Sequence, residues 1–114
     1  MKIESFSFGM IRIDGREYRF DLKLIGDRLI PNWFRANGHL VEPEDIADIL
    51  ESDVDTCIIG TGAYGLMQVS DKVKSDFKSR NIPLVIEKTE EACRRYNQLK
   101  KTYKNVAAAL HLTC

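Results

Sequence analysis

The sequence predicts one α/β domain: a three-layer fold with a mixed central sheet, parallel core strands flanked by helices, and an N-terminal β-hairpin subdomain. Three observations support this fold class. Residues 3–30 alternate between apolar and polar residues around turn signals, a pattern typical of β-strands. From residue 43 onwards, helical and strand patterns alternate, as they do in parallel sheets. The stretches 54–59 and 82–87 are apolar without alternation, which indicates strands covered by helices on both faces.

The bulk composition limits the classes of function. The 114 residues are the length of one domain, with a hairpin region over residues 1–30 and an α-β-α-β-α-β core over residues 43–112. Seventeen basic and seventeen acidic residues cancel, which argues against nucleic acid or an anionic membrane as a partner. Three widely spaced cysteines, no signal-peptide pattern and no stretch of roughly 20 apolar residues predict a cytoplasmic protein with free thiols.

The N-terminal part reads as strands joined by tight turns. Asp14-Gly15 is a hairpin signal, and the residues at 18, 20, 22 and 24 are apolar while those between them are polar. This alternation predicts one continuous strand with a buried face and a face in water. Gly26-Asp27 predicts a second turn and a short return strand. Residues 31–42, which hold the only tryptophan, look irregular and able to reach a site.

The second half predicts three helices, each followed by a strand. Pro43 suits the start of the first helix, over residues 43–51, and Ser70 caps the second, which ends near Asn81. Thr89 is predicted to cap the third, which has a core stripe at positions 92, 96, 99 and 103 and ends at Asn105. A last strand covers residues 106–112. If this strand returns to the other side of the 54–59 strand, the two flank a topological switch point.

The glycine-rich stretch 60–65 matches G-x-G-x-x-G, and Glu87 ends the next predicted strand, where a dinucleotide fold would carry a ribose-binding acid. The context differs, because four residues separate the last glycine from the Ser70 cap, so no helix N-terminus points into the loop. A tight structural turn is the favoured interpretation. A site for a small anion or carboxylate in the bare amides is the main alternative.

A crevice at the ends of the parallel strands is the predicted site. Ligands of open α/β sheets bind outside the carboxyl ends of the strands. The glycines and Thr61 would form its floor, and residues from two strand ends and the irregular segment would surround it. The predicted crevice residues are Gly60, Thr61, Gly62, Thr89, His111, Arg35 and His39.

The remaining chemical signals do not add up to a catalytic site. His111 and Cys114 have H-x-x-C spacing, but a metal needs three or four ligands, and the other cysteines fall in buried strand and helix positions. A Cys–His nucleophile pair would need a thiol of lowered pKa in a shaped site. The basic residues of the third helix fit a solvated face. The sequence therefore predicts no metal and no cofactor, and the enzyme question stays open, leaning to no.

Four blocks of residues, in order along the chain, resemble a known family. They are Trp33 with Arg35 and Gly38-His39; Ile59-Gly60-Thr61-Gly62; Thr89-Glu90-x-Ala92-x-x-x-Tyr96-Asn97-x-Leu99; and His111-x-Thr113-Cys114. The whole chain is similar to a small domain-of-unknown-function family of archaea and bacteria, the Mth-type domain. Its human relatives include adipogenesis-associated Mth-domain-containing protein, whose branch the HLTC ending resembles more closely, and mitochondrial complex I assembly factor 3. The resemblance implies a compact α/β domain with regulatory or assembly roles and no established activity.

Two classes of function follow from these observations. The first is a non-enzymatic binding or assembly and regulatory module that uses the surface near the glycine loop and residues 33–39. The alternative is a small-molecule or anion-binding protein, or an enzyme, that uses the crevice at Gly60 and Gly62. The expected partners are accordingly another protein or a small anionic ligand, and a homodimer is left open.

Overall fold

A computed structural model describes all residues, 1 to 114, as ten β-strands and three α-helices. The strands are β1 (Ile3–Ser7), β2 (Met10–Ile13), β3 (Arg16–Tyr18), β4 (Leu22–Ile25), β5 (Arg28–Ile30), β6 (Leu40–Val41), β7 (Thr56–Thr61), β8 (Gln68–Val69), β9 (Leu84–Glu87) and β10 (Val106–His111). The α-helices are α1 (Ala47–Glu51), α2 (Asp71–Ser79) and α3 (Thr89–Thr102), and a 3-10 turn at Pro43–Ile46 precedes α1. No helix is both long enough and apolar enough to cross a membrane.

Five strands form the central sheet, in the order β5-β4-β10-β7-β9. The three strands β10, β7 and β9 run parallel, and β4 and β5 join antiparallel. The predicted fold class is therefore confirmed. The last strand lies on the far side of β7, which the sequence left open, and β9 is at the edge of the sheet. β7 runs two residues further than predicted, through Gly60 and Thr61.

Each face of the central sheet carries its own hydrophobic core. Side chains of β10 alternate between the two, so Ala107 and Ala109 contact the core under α1 and α2, while Ala108 contacts the core under α3. The small alanines allow close packing on both sides. The first core includes Trp33, Ile46, Ile49, Ile59, Val73 and Phe77. The second includes Ile11, Ile13, Leu24, Ile58, Tyr96 and Leu110.

The N-terminal hairpin region forms a separate antiparallel sheet, β1-β2-β3, which packs on the α3 side of the molecule. The prediction of one continuous alternating strand after the hairpin is wrong. The chain leaves this sheet after Tyr18 and enters the central sheet at Leu22. All four residues of β4 are buried, Lys23 among them, because both faces of the central sheet are covered. The Lys23 Nζ donates to Asp48 Oδ2 at 2.6 Å.

The predicted helices are present at the expected positions, but some of their predicted end residues are wrong. Ser70 caps α2 as predicted, accepting from the Val73 N–H at 3.2 Å, and Asn81 has a positive φ of 57° after the helix. α3 ends at Thr102, three residues before the predicted end at Asn105. The stripe on α3 is buried at its first two positions, partly buried at Leu99, and exposed at Tyr103.

Candidate functional site

The carboxyl ends of three parallel strands meet at one edge of the central sheet, called here the carboxyl edge. β7 ends at Thr61, β9 at Glu87 and β10 at His111. In the register, Thr61 pairs with His111. All seven predicted crevice residues lie at or beside this edge, and the following contacts show how they are joined.

The glycine loop (residues 60–65) is shaped by close contact with its own protein. Gly62 has a φ of 105°, and a side chain there would place its Cβ 2.7 Å from the Cys114 carbonyl oxygen and 2.8 Å from that of Thr113. At Gly60 a Cβ would lie 2.9 Å from Thr89 Oγ1. Both glycines are therefore required by the approach of the C-terminal residues and of α3.

The amide groups of the loop donate to protein acceptors. The N–H groups of Ala63 and Leu66 donate to the carbonyls of Thr113 and Cys114, at 2.6 and 2.9 Å. The Gly65 N–H donates to the Gly62 carbonyl at 3.2 Å. This geometry matches the tight-turn interpretation, since an anion at these amides would have to displace existing hydrogen bonds.

The dinucleotide interpretation has no structural support at this edge. The chain continues from the loop into β8 and only then reaches the Ser70 cap of α2. The Glu87 carboxylate, predicted to end its strand, accepts from Arg95 Nη2 at 2.7 Å. A pyrophosphate would need a helix N-terminus at the loop, and the N-terminus of α2 lies elsewhere. A ribose would need a free carboxylate, and that of Glu87 is already paired.

Thr89 joins the ends of β7 and β10 to α3. Its hydroxyl donates to the His111 carbonyl at 2.6 Å and accepts from the Gly62 N–H at 2.8 Å. Its own N–H donates to the Gly62 carbonyl at 3.1 Å. The predicted capping role is wrong: the N-cap position is Lys88, and the fully buried hydroxyl bonds across the sheet edge instead.

A buried charged cluster forms around the side chain of His111, whereas Thr89 contacts its backbone carbonyl. It consists of Asp21, Arg35 and His111, whose side chains are 17%, 5% and 7% exposed. Asp21 Oδ2 lies 2.7 Å from His111 Nδ1 and 2.9 Å from Arg35 Nη2. Its other oxygen, Oδ1, accepts from the Leu112 N–H at 2.8 Å. The cluster therefore ties the irregular segment to the end of β10.

Asp21 carries its charge in spite of burial. Burial by itself raises the pKa of this carboxyl, but the hydrogen bonds from His111, the Leu112 N–H and Arg35 together outweigh it, so the pKa lies below the ordinary value of 3.8. A carboxylate only accepts hydrogen bonds, so His111 Nδ1 carries a proton and donates it to Asp21. The other ring nitrogen, Nε2, is buried and has no hydrogen-bond partner.

Arg35 holds the irregular segment in place. Its Nη1 donates to the Trp33 carbonyl and its Nε to the Gly38 carbonyl, both at 3.3 Å. Its guanidinium carbon lies 4.4 Å from the centroid of the Trp33 ring, a cation–π contact. The Trp33 Nε1 in turn donates to the Asp45 carbonyl at 2.9 Å. Most of the guanidinium donors are thus engaged within the protein.

His39 lies over the cluster from the segment's far end. Its ring is exposed, and its centroid is 6.4 Å from that of His111. Its carbonyl accepts from the Gln68 N–H at 2.8 Å, which joins the segment to the chain just after the glycine loop. The structure therefore brings Arg35, His39 and His111 together in one group, with the glycines and Thr89 in a second group on the backbone of the same strand ends.

Asp21 is the member of this site that the sequence analysis missed, since it was assigned to the wet face of a strand. Within one sequence, its only signal is its position between Phe20 and Leu22, which equally fits a solvent-facing residue. Its role depends on contacts with residues far away along the chain.

An exposed apolar patch covers the outside of the carboxyl edge. It consists of Phe8, Tyr64 and Leu66, which are 54%, 64% and 57% exposed. The Phe8 and Tyr64 rings are 5.7 Å apart. The Gly9 N–H donates to the Leu112 carbonyl at 2.8 Å, which holds the β1–β2 turn against the C-terminal residues. The glycine loop thus presents an apolar surface outward.

The thiols and the H-x-x-C spacing form no reactive arrangement. All three cysteines are free, and burial raises the pKa of Cys57 and, to about 12, that of Cys93. His111 Nδ1 is already bonded to Asp21. No three His, Cys, Asp or Glu side chains lie close enough together to hold a metal ion.

The fold and this edge define a class: a small mixed α/β protein whose strand ends are closed by its own C-terminal residues. The chain belongs to the family described as a protein of unknown function (DUF498/DUF598), whose profile matches residues 3–111. Similar solved structures include a conserved hypothetical protein from Pyrococcus horikoshii, 26% identical over 100% of both chains with a TM-score of 0.83. A structure named MT938 is 25% identical over 99% of this chain and 98% of that one, also with a TM-score of 0.83. A protein of Bartonella henselae described as an outer membrane protein is 23% identical over 98% and 94%, with a TM-score of 0.81, and shows a shared fold.

Proposed function

We propose that this protein is a non-enzymatic protein-binding module with an assembly or regulatory role, acting in the cytoplasm. The observation that supports it is the apolar patch of Phe8, Tyr64 and Leu66. These side chains are exposed while the backbone beneath them is held by hydrogen bonds to Leu112 and Cys114. Large apolar side chains on a rigid support are the usual centre of a protein interface.

The resemblance to the Mth-type family supports the same proposal at a finer level. Adipogenesis-associated Mth-domain-containing protein and mitochondrial complex I assembly factor 3 have regulatory or assembly roles. This chain resembles their family in the four sequence blocks described above. The partner that fits the patch is a folded protein with an apolar pocket, since aromatic side chains bind best when they fill one.

Site-specific photocrosslinking tests the proposal. A photoreactive phenylalanine analogue placed at Tyr64 should form an adduct with one partner in cells that express the protein. The double variant Phe8→Ser and Leu66→Ser, made in that background, should reduce the adduct about tenfold or more, because central interface residues each contribute more than 1 kcal/mol. The matched control is Phe34→Ser, which removes another exposed aromatic, 84% exposed, outside the patch.

Thermal unfolding of each variant completes this experiment. Exposed substitutions of this kind change stability by about 0.5 kcal/mol or less, so the variants should remain folded. An adduct that survives the double change, or that falls equally with Phe34→Ser, would contradict a partner at this patch.

A second candidate, a small-molecule or anion-binding protein or an enzyme, is favoured by one observation. Asp21 orients His111 through Nδ1, and the buried Nε2 is left without a partner. A carboxylate-oriented imidazole with a free second nitrogen is the arrangement that general bases and ligand-binding histidines use.

Titration with phosphate, sulfate and acetate tests this candidate. If the protein binds a small anion here, the amide resonances of Gly60, Gly62 and Thr89 and the Nε2 resonance of His111 should shift together at millimolar anion. If those amides stay still while exposed ones respond, the loop is a turn and the binding-module proposal stands alone.

A further inference from the structure

The outer edge of β9 is an exposed sheet edge beside an open apolar groove. We propose that this edge binds an extended, acidic peptide segment of another protein, which adds to the central sheet as a sixth strand. The proposal concerns a different surface from the apolar patch and does not rest on it.

The backbone of β9 leaves hydrogen-bonding groups unused on its outer side. The carbonyls of Pro83 and Glu87 face β7, where they accept from the Cys57 N–H at 3.0 Å and from Thr61 Oγ1 at 3.1 Å. Because successive residues of a strand alternate in direction, Leu84 and Ile86 direct their N–H and C=O groups away from β7. No strand pairs with them there, since β9 ends the sheet order.

The side chains of the same two residues line a groove beside this edge. Leu84 and Ile86 lie on the α2 side of the sheet, and a groove of about 560 Å³ runs between them and α2. Its floor is formed by Phe77 and Ile82, and Ile86 is 38% exposed. A strand added here would pair its backbone with β9 and place alternate side chains in the groove, which is how strand-addition ligands are recognised.

The charges at the groove select the chemistry of the peptide. Lys74 and Lys78 are the only charged residues that line it. Lys78 makes no ion pair, and Lys74 makes one loose contact, 3.9 Å, with the fully exposed Asp71. Every second side chain of an added strand would point into the groove. An incoming strand with both apolar and acidic residues on that face would place the apolar side chains on the floor and the carboxylates near the two lysines.

A neighbouring depression extends the groove toward the glycine loop. It has a volume of about 290 Å³, shares Lys74 and Ile86 with the first, and reaches Thr61, Gly65 and Met67. The two depressions therefore adjoin at Lys74 and Ile86 on the α2 side of the sheet. Groove-facing side chains of a bound strand have room there beyond Ile86.

The probe is a synthetic peptide of about eight residues, the length of an ordinary strand. Its groove-facing residues, every second one, are two valines and two glutamates, and the residues between them are threonine, so that one face carries both the apolar and the acidic side chains. Titrated into the labelled protein, it should shift the amide resonances of Leu84 and Ile86 and protect them from exchange. The same peptide with lysine in place of glutamate should bind about tenfold more weakly or not at all, because its charges would repel Lys74 and Lys78.

Two variants separate the charge from the backbone contribution. Lys74→Glu with Lys78→Glu should weaken binding of the glutamate peptide about tenfold, whereas the matched pair Lys100→Glu and Lys101→Glu, in the last turn of α3, should not change it. Ile86→Pro removes one outward N–H and leaves the ladder to β7 intact, so it should abolish binding of the peptide while the thermal transition stays cooperative.

Three results would overturn the proposal. The first is no shift at Leu84 and Ile86 at millimolar peptide. The second is equal weakening by the α3 lysine pair. The third is a concentration-dependent dimer in analytical ultracentrifugation that Ile86→Pro abolishes, since the edge would then be occupied by a second copy of this chain.

Discussion

The carboxyl edge of the sheet and the outer side of β9 differ in how their backbone groups are used. At the carboxyl edge, Gly62, Ala63 and Leu66 all donate to acceptors of the same chain, and a charged cluster is sealed behind them. Along the outer side of β9, the groups of Leu84 and Ile86 have no partner and an apolar groove lies open. The glycine motif thus marks a place that the protein closes for itself, and the open surface carries no motif.

Hydrogen exchange should show the largest difference between the two regions. The amides of Gly62 and Leu66 are hydrogen-bonded within the folded chain, while those of Leu84 and Ile86 point to solvent. The first pair should exchange about a thousandfold or more slowly than the second, because bonded amides exchange only through opening of the structure. Protection of Leu84 and Ile86 that rises with protein concentration would show that β9 pairs with a second copy.

Asp21→Ala should be the most destabilising single change at the carboxyl edge. It leaves Arg35 and His111 buried without their shared acceptor, and breaking a buried charged pair costs about 3 kcal/mol or more. Chemical denaturation measures the loss, with the exposed Asp53→Ala as the control. Equal stability of the two variants would mean that the cluster contributes nothing to closing this edge.

Gly62→Ala should cost about 2 kcal/mol, since a φ of 105° is strained for alanine and the added Cβ would meet the backbone of Cys114. The matched control is Gly38→Ala, where nothing lies within 4 Å of the added carbon. The measurement is again the free energy of unfolding. If Gly62→Ala proves as harmless as Gly38→Ala, the C-terminal residues do not close the loop.

The acid side of the pH–stability profile should depend on Asp21. Because its folded-state pKa lies below 3.8, the carboxylate contributes stability that is present above that value and is lost as the pH falls through the folded-state pKa. The stability difference between wild type and Asp21→Ala should therefore be constant at neutral pH and shrink below 3.8. A difference that persists unchanged into strong acid would exclude the charge as its cause.

Ile86→Ser should have the smallest effect, about 0.5 kcal/mol or less, because the side chain is partly exposed over an open groove. Val85→Ser, on the opposite face of the same strand, should cost more, since Val85 packs against the core under α3. The measurement is the midpoint of thermal unfolding of each variant, which compares the two faces of β9. A larger loss for Ile86→Ser would show that the groove is filled in the folded protein rather than open.

Much of the fold could be predicted from the sequence because its signals are local. The apolar runs identified β7 and β9 as strands of the parallel core, and Ser70 and Asn81 marked the ends of α2. The expected cover on both faces holds for β7 and is wrong for β9, which lies at the sheet edge and exposes Ile86. Asp14-Gly15 marked the hairpin between β2 and β3, with positive φ at both residues. Each of these signals acts through the conformation of its own few residues, so no knowledge of distant contacts is needed.

The errors occurred where a distant contact overrides a local preference. Thr89 fits a cap by residue type, yet its hydroxyl bonds to Gly62 and His111, which only the return of β10 brings near. Lys23 alternates like a solvent-facing residue, yet it is buried and its ammonium group donates to Asp48 of α1, which folds over that face of β4.

The sequence by itself determined the α/β class, the parallel core, the place of the glycine turn, and the position of Thr89 and the glycines at the strand ends. These follow from backbone preferences and from the parallel direction of strands joined by helices. Only the tertiary structure decided that Asp21 pairs with His111 and Arg35, that the loop amides are occupied, and that β9 stays open. Those outcomes depend on which chain segments pack beside one another, and such contacts join residues far apart along the chain, such as Asp21 and His111, 90 positions apart.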